Sequence, residues 1–175
     1  MNESGEAIPI VAMGGGHGLA ATLTALREIT TDITALVTVA DNGGSSGRLR
    51  KEFGVMPPGD LRMALAALCA DDEWGRGWAQ VLQHRFTSDG ELNGHSVGNL
   101  LLTALWEIYE DPVIGLARVG DLLRVVGRVL PMSSIPLEIE ARVRENSGTP
   151  ITTIRGQSQV ASARGVIESV QLIPD

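Results

Sequence analysis

Residues 8–19, IPIVAMGGGHGL, decide the fold class of this chain. The first six residues of the stretch are continuously apolar, as expected of a strand that is buried on both faces. Glycines follow at four of the five positions 14–18. Apolar residues then recur at helical spacing, at Leu19, Leu23, Leu26 and Ile29. The stretch therefore predicts a strand, a glycine loop and the start of a helix.

The glycine loop predicts an anion-binding site. Glycine adopts positive φ and has no Cβ atom, so a ligand can approach the backbone closely. The N-terminus of the following helix offers free N–H groups and the positive end of a dipole. We expect a phosphate to bind there. The predicted contacts are Gly14, Gly15, Gly16, His17 and Gly18.

A second strand is predicted after this helix. Residues 33–40, ITALVTVA, are mostly apolar and β-branched. Two strands joined by a helix form a right-handed crossover and lie parallel. We therefore predict an α/β chain with a Rossmann-like, doubly wound parallel sheet.

The rest of the pattern extends this fold into a single domain. Residues 1–7 are predicted to be a disordered lead-in, residues 8–130 the α/β body and residues 131–175 a β-rich segment. Helices are expected at residues 60–68, 74–86, 100–109 and 112–126, with His84 in mid-helix and the tryptophans in the core. Strands are expected at residues 137–143, 151–154, 157–161 and 166–173, with Arg164 and Gly165 in a hairpin turn.

A second polar loop is predicted directly after the second strand. Residues 41–48, DNGGSSGR, contain three glycines and two serines and favour an irregular loop. The carboxyl ends of parallel strands meet at the edge where open α/β sheets bind ligands. Small residues there let N–H groups and hydroxyls reach a sugar or phosphate, and Arg48 adds charge. The predicted contacts are Asp41, Asn42, Gly43, Gly44, Ser45, Ser46 and Arg48.

Asp60 and Arg62 form a third polar motif, in the first turn of the helix that follows residues 54–59. Arg62 is a predicted nucleotide contact. Asp41 and Asp60 could hold Mg²⁺ through oxygen, the usual way of binding this metal beside phosphates. The helix dipole alone also favours an acid at position 60.

The glycine-containing loop at residues 93–99 is the fourth polar motif. Asn93, His95 and Asn99 are its predicted ligand contacts. His95, like His17, precedes a predicted helix, and either histidine could contact a ligand or serve as an acid–base group. A zinc site is disfavoured because no third nitrogen or sulfur ligand is evident.

Composition limits the partners of the chain. The 175 residues carry a formal net charge of -7, which argues against a nucleic-acid or anionic-membrane surface. Lys51 is the only lysine, so a Walker-type phosphate loop cannot be built. Cys69 is the only cysteine, and no apolar run reaches the length of a membrane span. We expect a cytoplasmic protein.

The first loop also fits a dinucleotide fingerprint. Residues 16–21, GHGLAA, match G-x-G-x-x-A, and Asp41 lies where a Rossmann domain binds the adenosine ribose of NAD. NAD therefore remains an alternative ligand.

Taken together, the four motifs resemble the YvcK family, the so-called gluconeogenesis factors. They are MGGGHGL at residues 13–19, DNGGSSGRLR at 41–50, PGDLR at 58–62 and NGHSVGNL at 93–100. This family looks related to CofD, the 2-phospho-L-lactate transferase of coenzyme F420 synthesis. The resemblance implies a Rossmann-like body that binds UDP-sugars such as UDP-N-acetylglucosamine. It also implies a role in cell shape and wall synthesis during growth on gluconeogenic carbon sources.

Two departures from the family pattern shape the functional hypotheses. In the transferase relatives a second aspartate follows the residue matching Asp41, whereas this chain has Asn42. The lower charge disfavours metal binding and favours a regulatory UDP-sugar-binding protein over an enzyme. The alternative is a Mg²⁺-dependent CofD-like phosphotransferase, with Asp41, Asp60 and His95 as candidate catalytic residues.

Family members also run to roughly twice this length, so the resemblance implies a truncated form of a longer chain. In the leading hypothesis residues 14–18 hold the diphosphate, and residues 41–48 with the fourth motif shape the sugar side. The sequence leaves a homodimer open.

Overall fold

The computed structural model describes residues 7–145 and 149–174. The predicted lead-in at residues 1–7 lies outside the described residues except for Ala7. The strands are β1 Ile10–Gly14, β2 Ile33–Val37, β3 Arg128–Pro131, β4 Leu137–Arg144, β5 Thr152–Arg155 and β6 Val166–Pro174. The helices are α1 Gly16–Leu26, α2 Gly44–Phe53, α3 Pro58–Ala67, α4 Glu73–Gln83, α5 Val97–Tyr109, α6 Pro112–Leu123 and α7 Gln157–Ala161.

A parallel sheet in the order β1-β2-β3 forms the centre of the α/β body. Ala12 of β1 lies beside Ala35 of β2, which lies beside Val129 of β3. These three residues are buried with leucines of α1 and α3, which pack on this sheet and on each other, and α6 packs on β3. The predicted α/β fold with parallel strands is confirmed. The expectation that the first strand is buried on both faces is wrong: Val11 and Met13 of β1 lie on the face opposite to Ala12 and are 61% and 68% exposed.

A separate antiparallel sheet in the order β5-β4-β6 forms the predicted β-rich segment. Ala141 and Val143 on β4 are buried, whereas the intervening Arg142 is exposed, as its alternating pattern predicts. The strand expected at residues 157–161 is wrong, because this segment forms α7. Both edges of β4 already pair with β5 and β6. Arg164 and Gly165 consequently link α7 to β6 and do not close a hairpin.

Helix α2 corrects the prediction of an irregular loop at residues 41–48. Its buried side consists of Ser45, Ser46, Leu49 and Arg50. This face follows helical spacing but is largely polar, so hydrophobic periodicity does not detect it. Gly54 ends the helix in the left-handed region with φ 66°.

Three smaller predictions also differ from the structure. His84 caps the C-terminus of α4 and is not in mid-helix. Trp106 is buried, but Trp74 is 45% exposed, so the tryptophans do not all belong to the core. Strand β3 was not predicted, because its four residues are too few for a periodic signal. Among the described residues, no helix combines the length and hydropathy needed to cross a bilayer.

Candidate functional site

The glycine loop joins the carboxyl end of β1 to α1. Gly14 ends the strand, and its carbonyl accepts a 2.8 Å hydrogen bond from the N–H of Thr38. Gly15 is the N-cap of α1. A Cβ atom at Gly15 would overlap the Thr38 hydroxyl and the Asp60 carboxylate, which are themselves joined by a 2.9 Å hydrogen bond. Gly15 therefore lets side chains from β2's end and α3 pack directly against the loop.

A cavity of about 350 Å³ opens beside this loop. We call it the glycine-loop cavity. Its lining residues are Gly15, Gly16, Thr38, Asp41, Asp60 and Gln157.

A second cavity, of about 420 Å³, lies at the N-terminus of α2. We call it the α2 cavity. Its lining residues are Asp41, Gly43, Gly44, Ser45, Ser46, Arg48, Gly59, Asp60, Arg62, Met63, Arg85, Gly94 and Asn99. Because Asp41 and Asp60 line both cavities, the two cavities adjoin. We call the two cavities together the cleft. The cleft lies beyond the carboxyl ends of β1 and β2, where open α/β sheets bind ligands.

One hydrogen bond caps α2, and another joins the N-termini of α2 and α3. Asp41 Oδ1 accepts a 2.9 Å hydrogen bond from the N–H of Gly43, the N-cap of α2. The N–H of Gly59 donates to Ser46 Oγ at 3.0 Å. A Cβ atom at Gly59 would overlap that hydroxyl, so glycine permits the close approach of the two helices. Backbone groups of both helices thus form a fixed wall of the α2 cavity.

A buried chain of side chains lies behind this wall. Ser45 Oγ is 2.9 Å from His95 Nδ1, and Asn99 Nδ2 donates to the same oxygen at 3.0 Å. When the neutral His95 ring carries its proton on Nε2, Ser45 accepts from Asn99 and donates to His95 Nδ1. Burial lowers the pKa of His95 below its ordinary value, and the positive charge of Arg48 lowers it further. The neutral form of His95 is therefore favoured.

Arg62 is the buried cation of the site. It is 3% exposed, and its Nε donates to Asn99 Oδ1 at 2.9 Å. Its Nη1 is buried and has no hydrogen-bond partner among the described residues. Burial lowers its pKa to about 10, repulsion from Arg85 adds to this, and Asp60 opposes it. Arg62 therefore remains charged at neutral pH.

The structure brings most of the predicted contacts to the cleft. Those that line it are Gly15, Gly16, Asp41, Gly43, Gly44, Ser45, Ser46, Arg48, Asp60, Arg62 and Asn99. Predicted contacts that line neither cavity, among the residues the structure describes, are Gly14, His17, Gly18, Asn42, Asn93 and His95.

Besides His95, which bonds to Ser45, two of these outlying residues have partners elsewhere. Asn42 accepts a hydrogen bond from the Ser158 N–H at 3.0 Å and donates to Gln159 Oε1 at 2.9 Å, so it holds α7. The carbonyl of Asn93 accepts a 2.6 Å hydrogen bond from Arg48, which positions the arginine at the cavity.

Several lining residues were missed by the sequence analysis. They are Thr38, Gly59, Met63, Arg85, Gly94 and Gln157. Thr38 follows β2 directly, whereas the predicted strand ran to residue 40 and placed Thr38 inside it. Arg85 and Gln157 arrive through tertiary packing, for which the local sequence gives no signal.

Asp41 and Asp60 are the groups that could hold a divalent cation. Within the described ranges, no set of three or more histidine, cysteine, aspartate or glutamate side chains is placed to hold a metal ion. Two carboxylates nevertheless fit Mg²⁺, which usually keeps several waters and uses one or two protein carboxylates beside substrate phosphates.

Comparisons with known proteins identify relatives along nearly the whole chain. Residues 10–175 match the family described as 2-phospho-L-lactate transferase CofD. A Mycobacterium leprae protein named "Putative gluconeogenesis factor" is 55% identical over 176 residues, covering 99% of this chain and 49% of that protein. A Halalkalibacterium halodurans protein named "Gluconeogenesis factor" is 40% identical over 165 residues, covering 94% of this chain and 49% of that protein.

A solved structure shares the fold. A crystal structure of a Bacillus halodurans protein matches with a TM-score of 0.87 at 39% identity, covering 97% of this chain and 52% of that one. A second crystal structure, described as a member of the upf0052 family, matches with a TM-score of 0.84 at 37% identity.

The chain spans about half the length of the curated relatives it matches. The resemblance drawn from the four motifs is confirmed by these matches. The chain belongs to the CofD family, in the group whose curated relatives are named gluconeogenesis factor.

Proposed function

We propose that the protein binds a UDP-sugar in the cleft formed by the glycine-loop and α2 cavities. In this proposal it is a regulatory factor that supports cell shape and wall synthesis during gluconeogenic growth. The observation that carries the proposal is that Asp41 and Asp60 line both cavities and so join them. Membership of the CofD family supports a nucleotide-linked ligand.

The chemistry of the cleft suits the parts of a nucleotide sugar. Carboxylates accept hydrogen bonds from ribose or sugar hydroxyls, as the acidic residue of a Rossmann site does. Arginines and helix N-termini bind phosphate oxygens. Each cavity lies within or near the usual ligand-pocket range of roughly 300 to 1,000 Å³. One elongated ligand could therefore occupy both.

Calorimetry with UDP-N-acetylglucosamine on the full-length protein tests the binding proposal, with NAD as the competing alternative. We expect heat of binding that saturates, and weaker or absent binding of NAD. Absence of both heat and thermal shift at millimolar UDP-N-acetylglucosamine would overturn the proposal. Tighter binding of NAD would replace the UDP-sugar with a dinucleotide.

Gly15→Ala is the variant that tests the site. The new Cβ must displace the Thr38 hydroxyl or the Asp60 carboxylate, which deforms the join between the cavities. Gly77→Ala is the matched control, because a Cβ atom at Gly77 meets nothing within 4 Å. We expect the first variant to lose UDP-sugar binding and the control to keep it.

The second candidate function is a Mg²⁺-dependent phosphotransferase of the CofD type. It is favoured by the two carboxylates that both cavities share and by the family match. Asp41 and Asp60 would hold the metal, which would neutralise charge on the transferred group. His95 lies behind Ser45 and could act on a ligand only through that hydroxyl. Metal-dependent turnover that is lost in Asp60→Asn supports this candidate, and full turnover without divalent metal excludes it.

The cellular part of the proposal has its own test. A strain that lacks the gene should lose normal shape on gluconeogenic carbon sources, and the wild-type gene should restore it. Rescue by the Gly15→Ala variant would show that the cellular role does not depend on ligand binding. The proposal places the protein in the cytoplasm, where fractionation should find it, and sedimentation would decide between a monomer and a homodimer.

A further inference from the structure

We propose that the α2 cavity is the anion subsite of the cleft and holds the diphosphate of the nucleotide sugar. This inference rests on the proposed function, because it assigns one end of the same ligand. It reverses the arrangement that the sequence favours, in which the glycine loop holds the diphosphate. The glycine-loop cavity then takes a hydroxyl-bearing, uncharged part of the ligand.

The charges lining the two cavities differ. Arg48, Arg62 and Arg85 line the α2 cavity. In the part of the chain that the structure describes, no basic side chain lines the glycine-loop cavity, whereas Asp41 and Asp60 do. Because both cavities share these carboxylates, the three guanidinium groups make the α2 cavity the more positively charged of the two. A diphosphate is therefore attracted to the α2 side.

The side chain of Arg62 points to the same assignment. A buried guanidinium is costly unless its N–H groups are paired. Its Nε is fixed by Asn99, yet Nη1 is buried and has no hydrogen-bond partner among the described residues. Arg62 also lines the cavity. Phosphate oxygens, which pair well with the guanidinium fork, would supply the missing acceptor after a small shift of the side chain.

The two helix N-termini at the cleft have different surroundings. The first N–H groups of α2 have no partner within the helix, and Gly44, Ser45 and Ser46 of its first turn line the α2 cavity. No acidic side chain stands in that turn. At α1 the Asp60 carboxylate packs against Gly15, the N-cap, so the protein supplies its own anion there. A phosphate at α1 would meet this carboxylate. At α2 the Asp41 carboxylate accepts, among the described residues, only from the N–H of the N-cap Gly43. A phosphate at α2 would therefore still meet the N–H groups of the first turn, residues 44–46, which have no partner within the helix.

The shared carboxylates suit the other end of the ligand. Asp60 Oδ2 already accepts a hydrogen bond from Thr38, so this carboxylate is held in place. Carboxylate oxygens bind sugar hydroxyls well and repel phosphate. The glycine loop then lets the uncharged, hydroxyl-bearing ring of the ligand approach its backbone closely and does not bind the phosphates.

Calorimetry with inorganic pyrophosphate in metal-free buffer tests the assignment on the full-length protein. Arg62→Met should weaken pyrophosphate binding by about ten-fold or more, the usual effect of losing a charged hydrogen bond. Arg76→Met is the matched control, because Arg76 is exposed, pairs with Asp71 and lies outside both cavities. Asp60→Asn should strengthen binding, since it removes a negative charge. If Arg62→Met fails to fold, Arg62→Lys, which keeps the charge and loses the fork, should still weaken binding.

Glycine-selective ¹⁵N labelling of the wild-type protein locates the anion without any variant. Pyrophosphate should shift the amide signals of Gly43 and Gly44 more than those of Gly15 and Gly16. Larger shifts at the glycine loop would overturn the assignment. Pyrophosphate binding that requires Mg²⁺ in the wild-type protein, and is lost in Asp60→Asn, would also overturn it. The same holds if the wild-type protein shows no binding at millimolar pyrophosphate.

The outcome is separable from that of the proposed function. Arg62-dependent pyrophosphate binding without UDP-N-acetylglucosamine binding would sustain the anion subsite and refute the UDP-sugar. Binding of UDP-N-acetylglucosamine that is unchanged in a folded Arg62→Met protein would refute the anion subsite and sustain the UDP-sugar.

Discussion

Arg62 and Asn99 are joined by a 2.9 Å hydrogen bond from Nε to Oδ1, and their side chains are 3% and 1% exposed. The bond connects α3 to α5. Asn99 also donates to Ser45 on α2, so one amide fixes three helices at the cleft. Arg62 and the first turn of α2 are thus held in place by buried polar bonds.

Asn99→Ala should destabilise the protein by about 2 to 5 kcal/mol, because it leaves the buried charged Arg62 Nε without its acceptor. It also removes one of the two hydrogen bonds to Ser45 Oγ, which keeps His95 as its partner. Urea unfolding measures the change. Asn93→Ala is the control: its amide oxygen accepts an exposed hydrogen bond from the Ser88 N–H, and we expect a loss below about 1 kcal/mol. Equal losses in the two variants would show that the buried chain contributes no special stability.

The free energy of unfolding should decrease as pH falls, because of His95. Burial, followed by the charge of Arg48, holds its pKa in the folded protein below its ordinary value of 6.5. The unfolded chain then binds the proton more readily, so the stabilisation is present above the ordinary pKa and is lost as pH falls towards the folded value. Free energies of unfolding from pH 7.5 down to pH 5 should decline less steeply in His95→Gln. A slope that is unchanged in this variant contradicts the prediction.

Asn42→Asp should loosen α7 while leaving the fold intact. An aspartate still accepts from the Ser158 N–H but cannot donate to Gln159 Oε1. Both bonds are exposed, so the cost should be about 0.5 to 1.5 kcal/mol. Amide hydrogen exchange should show Ser158 protected in Asn42→Asp and faster in Asn42→Ala, which removes both bonds. Identical exchange in all three proteins would mean that Asn42 does not hold α7.

The tryptophans should differ sharply in their contribution to stability. Trp106 is 7% exposed and donates from Nε1 to the Pro112 carbonyl, so Trp106→Ala should cost about 3 to 5 kcal/mol. Trp74 is 45% exposed, with Arg124 over its ring and Nε1 bonded to the Leu122 carbonyl. Trp74→Ala should cost about 1 kcal/mol. Thermal or urea unfolding compares them, and a larger loss for Trp74 would reverse the expected order.

The elements with regular apolar patterns could be predicted from the sequence. Strands β1 and β2, helices α1, α3, α5 and α6, and the alternating β4 all carry such a pattern. Helix α2 could not be recognised because the face it buries is largely serine and arginine. Helix α7 resembled a strand in composition, and only the occupied edges of β4 exclude that strand. Tertiary context decided both cases.

Much of the candidate site could be predicted because glycines and polar residues follow strand ends. The sequence could not show which of them face the cleft. His95 is turned towards Ser45, and Asn42 is bonded to α7, although both stand within polar motifs. Arg85 could not be predicted as a site residue, because it comes alongside the fourth motif only through a β-bridge with Ser96. The local sequence gives no sign of that pairing.

A crystal structure of the full-length protein with UDP-N-acetylglucosamine tests the central proposal most directly. The predicted result is electron density that runs through both cavities, with ligand oxygens within hydrogen-bond distance of Asp60 and Arg62. A different surface groove, of about 640 Å³ and lined by Trp74, Trp78 and Arg124, provides the contrast. Ligand density confined to that groove, or a cleft that stays without density at saturating ligand, would contradict the proposed UDP-sugar site.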